Sequence, residues 1–93
     1  MATNPFSVLR TADVLPGHFG RFFGYGRVSV SHWLNGHKSP HELHRVKVFR
    51  DLQAVHTALK LGDLPVPSTP RKNRYERVER ALKRAIKAQK NAR

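Results

Sequence analysis

The stretch Pro16-Gly17-His18-Phe19-Gly20-Arg21-Phe22-Phe23-Gly24-Tyr25-Gly26-Arg27-Val28-Ser29-Val30-Ser31-His32-Trp33-Leu34-Asn35-Gly36-His37-Lys38-Ser39-Pro40 decides the fold. Pro16 suits the first turn of a helix, where a missing N–H has no partner to lose. Phe19, Phe22 and Phe23 give that helix apolar bulk, and Gly24-Tyr25-Gly26 breaks it. A second helix follows from about Arg27 to Leu34 and is ended by Asn35-Gly36. Two helices crossing at so tight a turn impose limits at fixed offsets. The first needs a small residue where the second packs against it, and Gly20 stands there. The turn needs a residue that tolerates a left-handed backbone, and Gly24 is four positions on. The second helix needs an aliphatic anchor, and Val30 is six further. That spacing is the signature of a helix-turn-helix.

Helical signals continue on both sides. Upstream, Asn4 or Thr3 can cap a short helix with Pro5 at its first position, and Phe6 and Leu9 face the core. A turn at Asp13 to Leu15 leads into the central stretch. Downstream, Ser39-Pro40 reads as a helix start, with Ser39 as cap and Glu42 at the capping-box position. Leu43, Val46, Phe49, Leu52, Val55 and Leu59 recur at steps of three or four as one helical face, which Gly62 stops. The fold class is therefore all-α, a compact bundle of four to five helices over residues 1–64. Its core is expected to hold Phe19, Phe23, Val30, Trp33, Leu43, Val46, Phe49, Leu52 and Val55.

The prolines of Leu64-Pro65-Val66-Pro67-Ser68-Thr69-Pro70 cannot continue a helix and favour an extended linker over residues 65–70. Residues 71–93 then read as a basic amphipathic C-terminal helix. Tyr75, Val78, Leu82 and Ala85 follow the three-four-three spacing of a coiled-coil seam, and Glu76–Arg80 and Glu79–Lys83 can pair one turn apart. This tail is open to three readings: a homodimer seam, a nucleic-acid or partner-binding arm, or a solvated charged face. Separated by the linker, it should be removable without unfolding the domain.

Charge narrows the function. The chain has 93 residues, 18 Lys+Arg and 6 Asp+Glu, for a net charge of +12. Residues 1–70 carry 8 Lys+Arg against 4 acids, and residues 71–93 carry 10 against 2. Such an excess calls for a polyanionic partner. No apolar run approaches the roughly 18 residues of a membrane span, and Met1 to Leu9 lacks the pattern of a signal peptide. Without Cys there are no disulfides or thiolate metal sites. His37, His41 and His44 have a spacing that zinc can use, but a helix start at Ser39-Pro40 falls between the first two, so no metal or cofactor is expected. The few scattered acids form no nucleophile–base constellation, so no catalytic residue is assigned and the chain reads as non-enzymatic.

Val28 to Pro40 resembles the third helix, Asn-Gly turn and fourth-helix entry of the Cro and lambda-repressor-like family. The resemblance is ungapped from about Val14 to Pro40 and covers roughly residues 5–64. Trp33, Asn35-Gly36 and Ser39-Pro40 fall where that family commonly has an aromatic, the turn and the helix start. The sequence departs from the pattern at Pro16 and Gly17, where the family often has Gln and a polar residue, at Gly20 in place of Ala, and at Leu34 in place of Glu. The resemblance implies a lambda-repressor-like bundle acting as a phage or bacterial transcription regulator on double-stranded DNA. It places Arg27, Val28, Ser29 and His32 at base edges, and Ser31, Asn35, His37 and Lys38 nearer the DNA backbone. Arg27 could equally be a solvated charge at a helix start, and His32 an exposed surface histidine. Trp33 reads as core, since it shares a face with Val30. In the tail, Arg71, Lys72, Arg74, Arg77, Arg80, Lys83, Arg84 and Lys87 are the candidate nucleic-acid contacts. The expected location is the cytoplasm, at the nucleoid, or the host cytoplasm for a phage-encoded chain. Two other readings share this composition: a module that binds and inhibits a host protein such as RNA polymerase, and a sequence-independent nucleic-acid binder acting through the tail.

Overall fold

Asn4 starts the first turn: its Oδ1 accepts the Phe6 N–H at 2.9 Å, and Pro5 takes the first helical position. The structure, a computed structural model, describes residues 4–66 and 71–91 without the side chains of Arg71 and Lys72; the alternative cap Thr3 lies outside the described residues. A 3₁₀ turn at Pro5–Ser7 leads into α1 (Val8–Thr11), followed by α2 (Pro16–Phe23) and α3 (Arg27–Leu34). A second 3₁₀ turn at Glu42–His44 precedes α4 (Arg45–Leu61), and α5 spans Arg71–Asn91. Among the described residues there is no strand, and the fold is an all-α bundle.

One core joins all five helices. Phe6, Leu9, Phe19, Val30, Val48, Val55, Val78 and Leu82 are buried in a single cluster, with Phe23 and Trp33 half-buried against it. The expected core is corrected along α4. Leu52 and Val55 are buried, but Phe49, Val46 and Leu43 are 41, 70 and 84% exposed. At 3.6 residues per turn, each step of three falls about 60° behind the helix face, so a stripe stepping back from Leu52 by threes winds round to the solvent side. Val48, Leu52, Val55 and Ala58 form the buried face instead. The helix start is corrected too. Pro40 is buried in an irregular segment, and His41 Nδ1 accepts the Leu43 N–H at 3.2 Å, so capping falls two residues beyond Ser39.

The separable tail is corrected most of all. Val78, Ala81, Leu82 and Ala85 lie in the same core as Val48 and Val55, so the apolar seam is closed by this chain's own bundle rather than by a second copy. Of the expected linker, Pro67 to Pro70 lies outside the described residues, but Leu64 and Val66 are buried. The chain bends at Pro65, which faces water, while Leu64 and Val66 on either side of it are seated in the core, so this part is not an extended spacer. Gln89 Nε2 donates to Thr57 Oγ1 at 3.0 Å, and Arg84 Nε lies 3.3 Å from Asp63. Glu79 and Lys83 pair at 3.9 Å, whereas the expected Glu76–Arg80 pair is not among the ion pairs of the described residues.

The seam between α2 and α5 holds a titratable side chain, His18, against an aromatic ring. The His18 ring meets Tyr75 edge-on at 5.4 Å, and the Arg21 guanidinium lies 4.0 Å from the centre of the same Tyr75 ring. Burial, with Arg74 and Arg21 adding like charge, holds the His18 imidazole below its ordinary value. Folding therefore favours the neutral ring. Its stabilising contribution is present above the unfolded-state value of about 6.5 and is lost as pH falls through the lower folded value. In paired thermal melts, wild type should lose ground to His18→Gln as pH drops from about 7.5 to 5. A difference that stays constant over that range would mean that the ring is solvated.

Candidate nucleic-acid interface

The unit built by α2, the turn and α3 is held by backbone chemistry. Gly24 has φ +89°, the left-handed conformation, and closes α2 by donating its N–H to the Gly20 carbonyl at 2.7 Å. The Tyr25 N–H reaches the same carbonyl at 2.8 Å. A Cβ at Gly20 would run into the Tyr25 carbonyl oxygen. Even alanine is therefore too large for this turn. Val30 is fully buried and anchors α3.

Three groups that sequence reasoning did not single out lock the turn onto α4. The Tyr25 hydroxyl donates to Asp51 Oδ2 at 2.5 Å. Lys47 Nζ donates to the Tyr25 hydroxyl at 2.9 Å, to Asp51 at 3.1 Å and to the Phe23 carbonyl at 3.2 Å. Burial and the hydrogen bond to Asp51 push the Tyr25 hydroxyl above its ordinary value, and the hydrogen bond with Tyr25 does most to raise Lys47. The available signal was Asp51, an acid on the buried face of a helix with Lys47 one turn before it.

Asn4 ties two helix termini together. Besides capping the first turn, its Nδ2 donates to the Trp33 and Leu34 carbonyls at 3.2 and 3.0 Å, satisfying the C-terminus of α3. Gly36, at φ +78°, then turns the chain away, and the His37 N–H donates to the His32 carbonyl at 2.9 Å.

This framework leaves Arg27, Val28 and Ser29 exposed at the start of α3, with Ser31 and His32 half-buried behind them. Pro16, Arg27, Val28, Ser31 and His32 line a shallow cleft. The Arg27 stem lies over Gly17, where a Cβ would stand 3.2 Å from Arg27 Cδ, so the missing side chain at Gly17 leaves room for this arginine. Asn35, His37 and Lys38 are exposed just beyond α3. Arg27 and Lys38 are in no ion pair among the described residues. Asn35 is already engaged, accepting from Arg10 at 3.0 Å. Trp33 packs 5.6 Å from Phe6 and 5.4 Å from Tyr25, ring to ring, as a residue of the core margin.

On α5, Arg77, Arg80, Lys83, Arg84 and Lys87 are exposed. Arg74 has a structural task instead: it pairs with the Asp13 carboxylate at 2.5 Å and donates to the Asp13 carbonyl at 2.8 Å. The Arg71 and Lys72 side chains lie outside the described residues. The His41 and His44 rings stand 6.0 Å apart, and among the described residues no three His, Cys, Asp or Glu gather as metal ligands. No helix of the described residues is long and apolar enough to cross a membrane. Neither a family model nor a curated protein nor a solved structure matches the chain.

Proposed function

We propose that the chain is a non-enzymatic, sequence-specific DNA-binding regulator of the Cro and lambda-repressor-like kind. The observation that carries this reading is the α2–α3 unit. Its crossing is set by Gly20 against the Tyr25 carbonyl, by left-handed Gly24 and by buried Val30, and it turns the first residues of α3 outward. A helix presented in this way enters the major groove by its N-terminal end. Arg27 would donate a bidentate pair to guanine O6 and N7, Val28 would meet a thymine methyl, and His32 would donate to a base or phosphate. Ser29 would add a hydroxyl along the same edge, and Ser31, His37 and Lys38 would lie nearer the phosphates and fix register. The exposed arginines and lysines of α5 would add sequence-independent affinity through counterion release.

The test begins with selection from a random duplex pool and continues with titrations of the selected and scrambled duplexes. Arg27→Ala should lower discrimination between them by about 1–3 kcal/mol. Lys38→Ala should weaken both alike and reduce the salt slope by about one. A pool that yields no consensus would sink the sequence-specific reading. Equal losses on both duplexes for Arg27→Ala would remove that residue from base readout.

A further inference from the structure

The correction along α4 leaves an apolar ridge in water. Leu43 and Val46 project from successive turns at 84 and 70% exposure, and Phe49 continues the line. Phe49 also lines a cleft of about 520 Å³ whose apolar walls include Phe6, Trp33 and Pro40 and whose rim carries Lys38 and Arg45. The surrounding sequence, residues 37–50, contains Lys38, Arg45, Lys47 and Arg50 against the lone acid Glu42. Lys47 is neutralised by Asp51, while Lys38, Arg45 and Arg50 are in no ion pair among the described residues. Large apolar side chains this exposed do nothing for the bundle's own packing, and a contiguous apolar patch rimmed by charge marks an interaction surface.

We propose that this ridge and cleft dock an acidic amphipathic helix of a protein partner. Apolar side chains on one face of such a helix would cover Leu43 and Val46 and insert beside Phe49, as helix-in-groove recognition requires. Its carboxylates would face Lys38, Arg45 and Arg50. Charge selects this occupant over a second copy, because a symmetric pairing would bring the unpaired Arg45 and Arg50 of two chains, each of net charge +12, into one interface with no added carboxylates to offset them. Duplex DNA fits the ridge poorly, since Leu43 and Val46 offer no donor to phosphate. The ridge of Leu43, Val46 and Phe49 is separate from the Arg27–Val28–Ser29 edge; Lys38 alone is shared with the proposed DNA contacts, so the test is carried by Leu43, Val46 and Arg45, which DNA recognition does not use.

Trp33 is the only tryptophan, and it lines the cleft, so its emission reports occupancy. The probe is a synthetic helix with leucine at i, i+4 and i+7 and glutamate on its other faces, titrated into the full chain. A saturable change in Trp33 emission is expected. It should weaken about tenfold or more in Leu43→Ser/Val46→Ser, a loss typical of truncated interface anchors. Arg45→Glu should weaken it as well. Both changes fall on exposed side chains, and unchanged circular dichroism would verify that the fold is intact. The proposal is overturned if no saturable change occurs, or if the serine variant binds as well as wild type, which would mean charge attraction alone. Sedimentation as a dimer that Val46→Ser dissolves would assign the ridge to a second copy. The same ridge-dependent change with anionic vesicles or single-stranded DNA, and none with the peptide, would assign it to those partners.

Discussion

A chain ending at Pro70 is expected to lose its cooperative thermal transition. In the intact protein, α5 brings Val78, Ala81, Leu82 and Ala85 into the core that Phe19, Val48 and Val55 share. Burying a valine or leucine side chain is worth about 1.5–3 kcal/mol each. Losing Val78 and Leu82 together therefore removes a large part of the roughly 5–15 kcal/mol that holds a domain folded. The truncation also uncovers the apolar faces on which α5 rests. Leu82→Ala is the graded version and should cost about 2–5 kcal/mol, since a fully buried leucine leaves a cavity. Circular dichroism melts of both variants check this. A truncated chain that still melts cooperatively near the wild-type temperature would show that α5 is an appendage after all. It follows that the contribution of α5 to nucleic-acid affinity is best measured by neutralising Arg77, Arg80 and Lys87 in place, and not by deletion.

The second large effect comes from one chemical change made at two neighbouring positions. Val30→Asp should unfold or nearly unfold the protein, because Val30 is 0% exposed and its carboxylate would have no partner in the core. An uncompensated buried charge costs about 3–5 kcal/mol, which for a domain of this size lowers the melting temperature on the order of 20 °C. Val28→Asp should leave the melt almost unchanged, since Val28 is 62% exposed and surface changes usually stay within about 0.5 kcal/mol. On the DNA-binding reading, that variant should nonetheless lose at least about tenfold in duplex affinity, because it replaces the apolar contact with a thymine methyl by an anion inside a groove walled by phosphates. Melting curves and duplex titrations of the two variants test both halves. Wild-type stability in Val30→Asp would show that Val30 is not the anchor of α3. Undiminished affinity in Val28→Asp would remove the start of α3 from the interface.

Features governed by a few neighbouring residues were legible in the amino-acid sequence. Asn4-Pro5 caps, Pro16 starts a helix, and Gly24 and Gly62 end two others, because caps and left-handed turns are settled within one turn of chain. The α2–α3 crossing was readable for the same reason: Gly20, Gly24 and Val30 act across a single tight turn, and the exposure of Arg27 and Val28 follows from it. Tertiary structure decided what local spacing leaves open. Steps of three and four were consistent with a stripe through Leu43, Val46 and Phe49, and only packing selected Val48, Leu52, Val55 and Ala58 as the face that excludes water. The apolar side of α5 was visible as a pattern, but a pattern does not say against what it closes, and here it closes on its own bundle. Arg74 is held by Asp13 across 61 residues and Asn35 by Arg10 across 25, so contacts that no spacing rule spans determine which cations and amides of the candidate site stay free. Most helix starts and turns are fixed by short-range sterics and hydrogen bonds, the start of α4 being the exception, since Pro40 is drawn into a buried irregular segment; the choice of buried face and the pairing of charges depend on which distant surfaces the folded chain brings together.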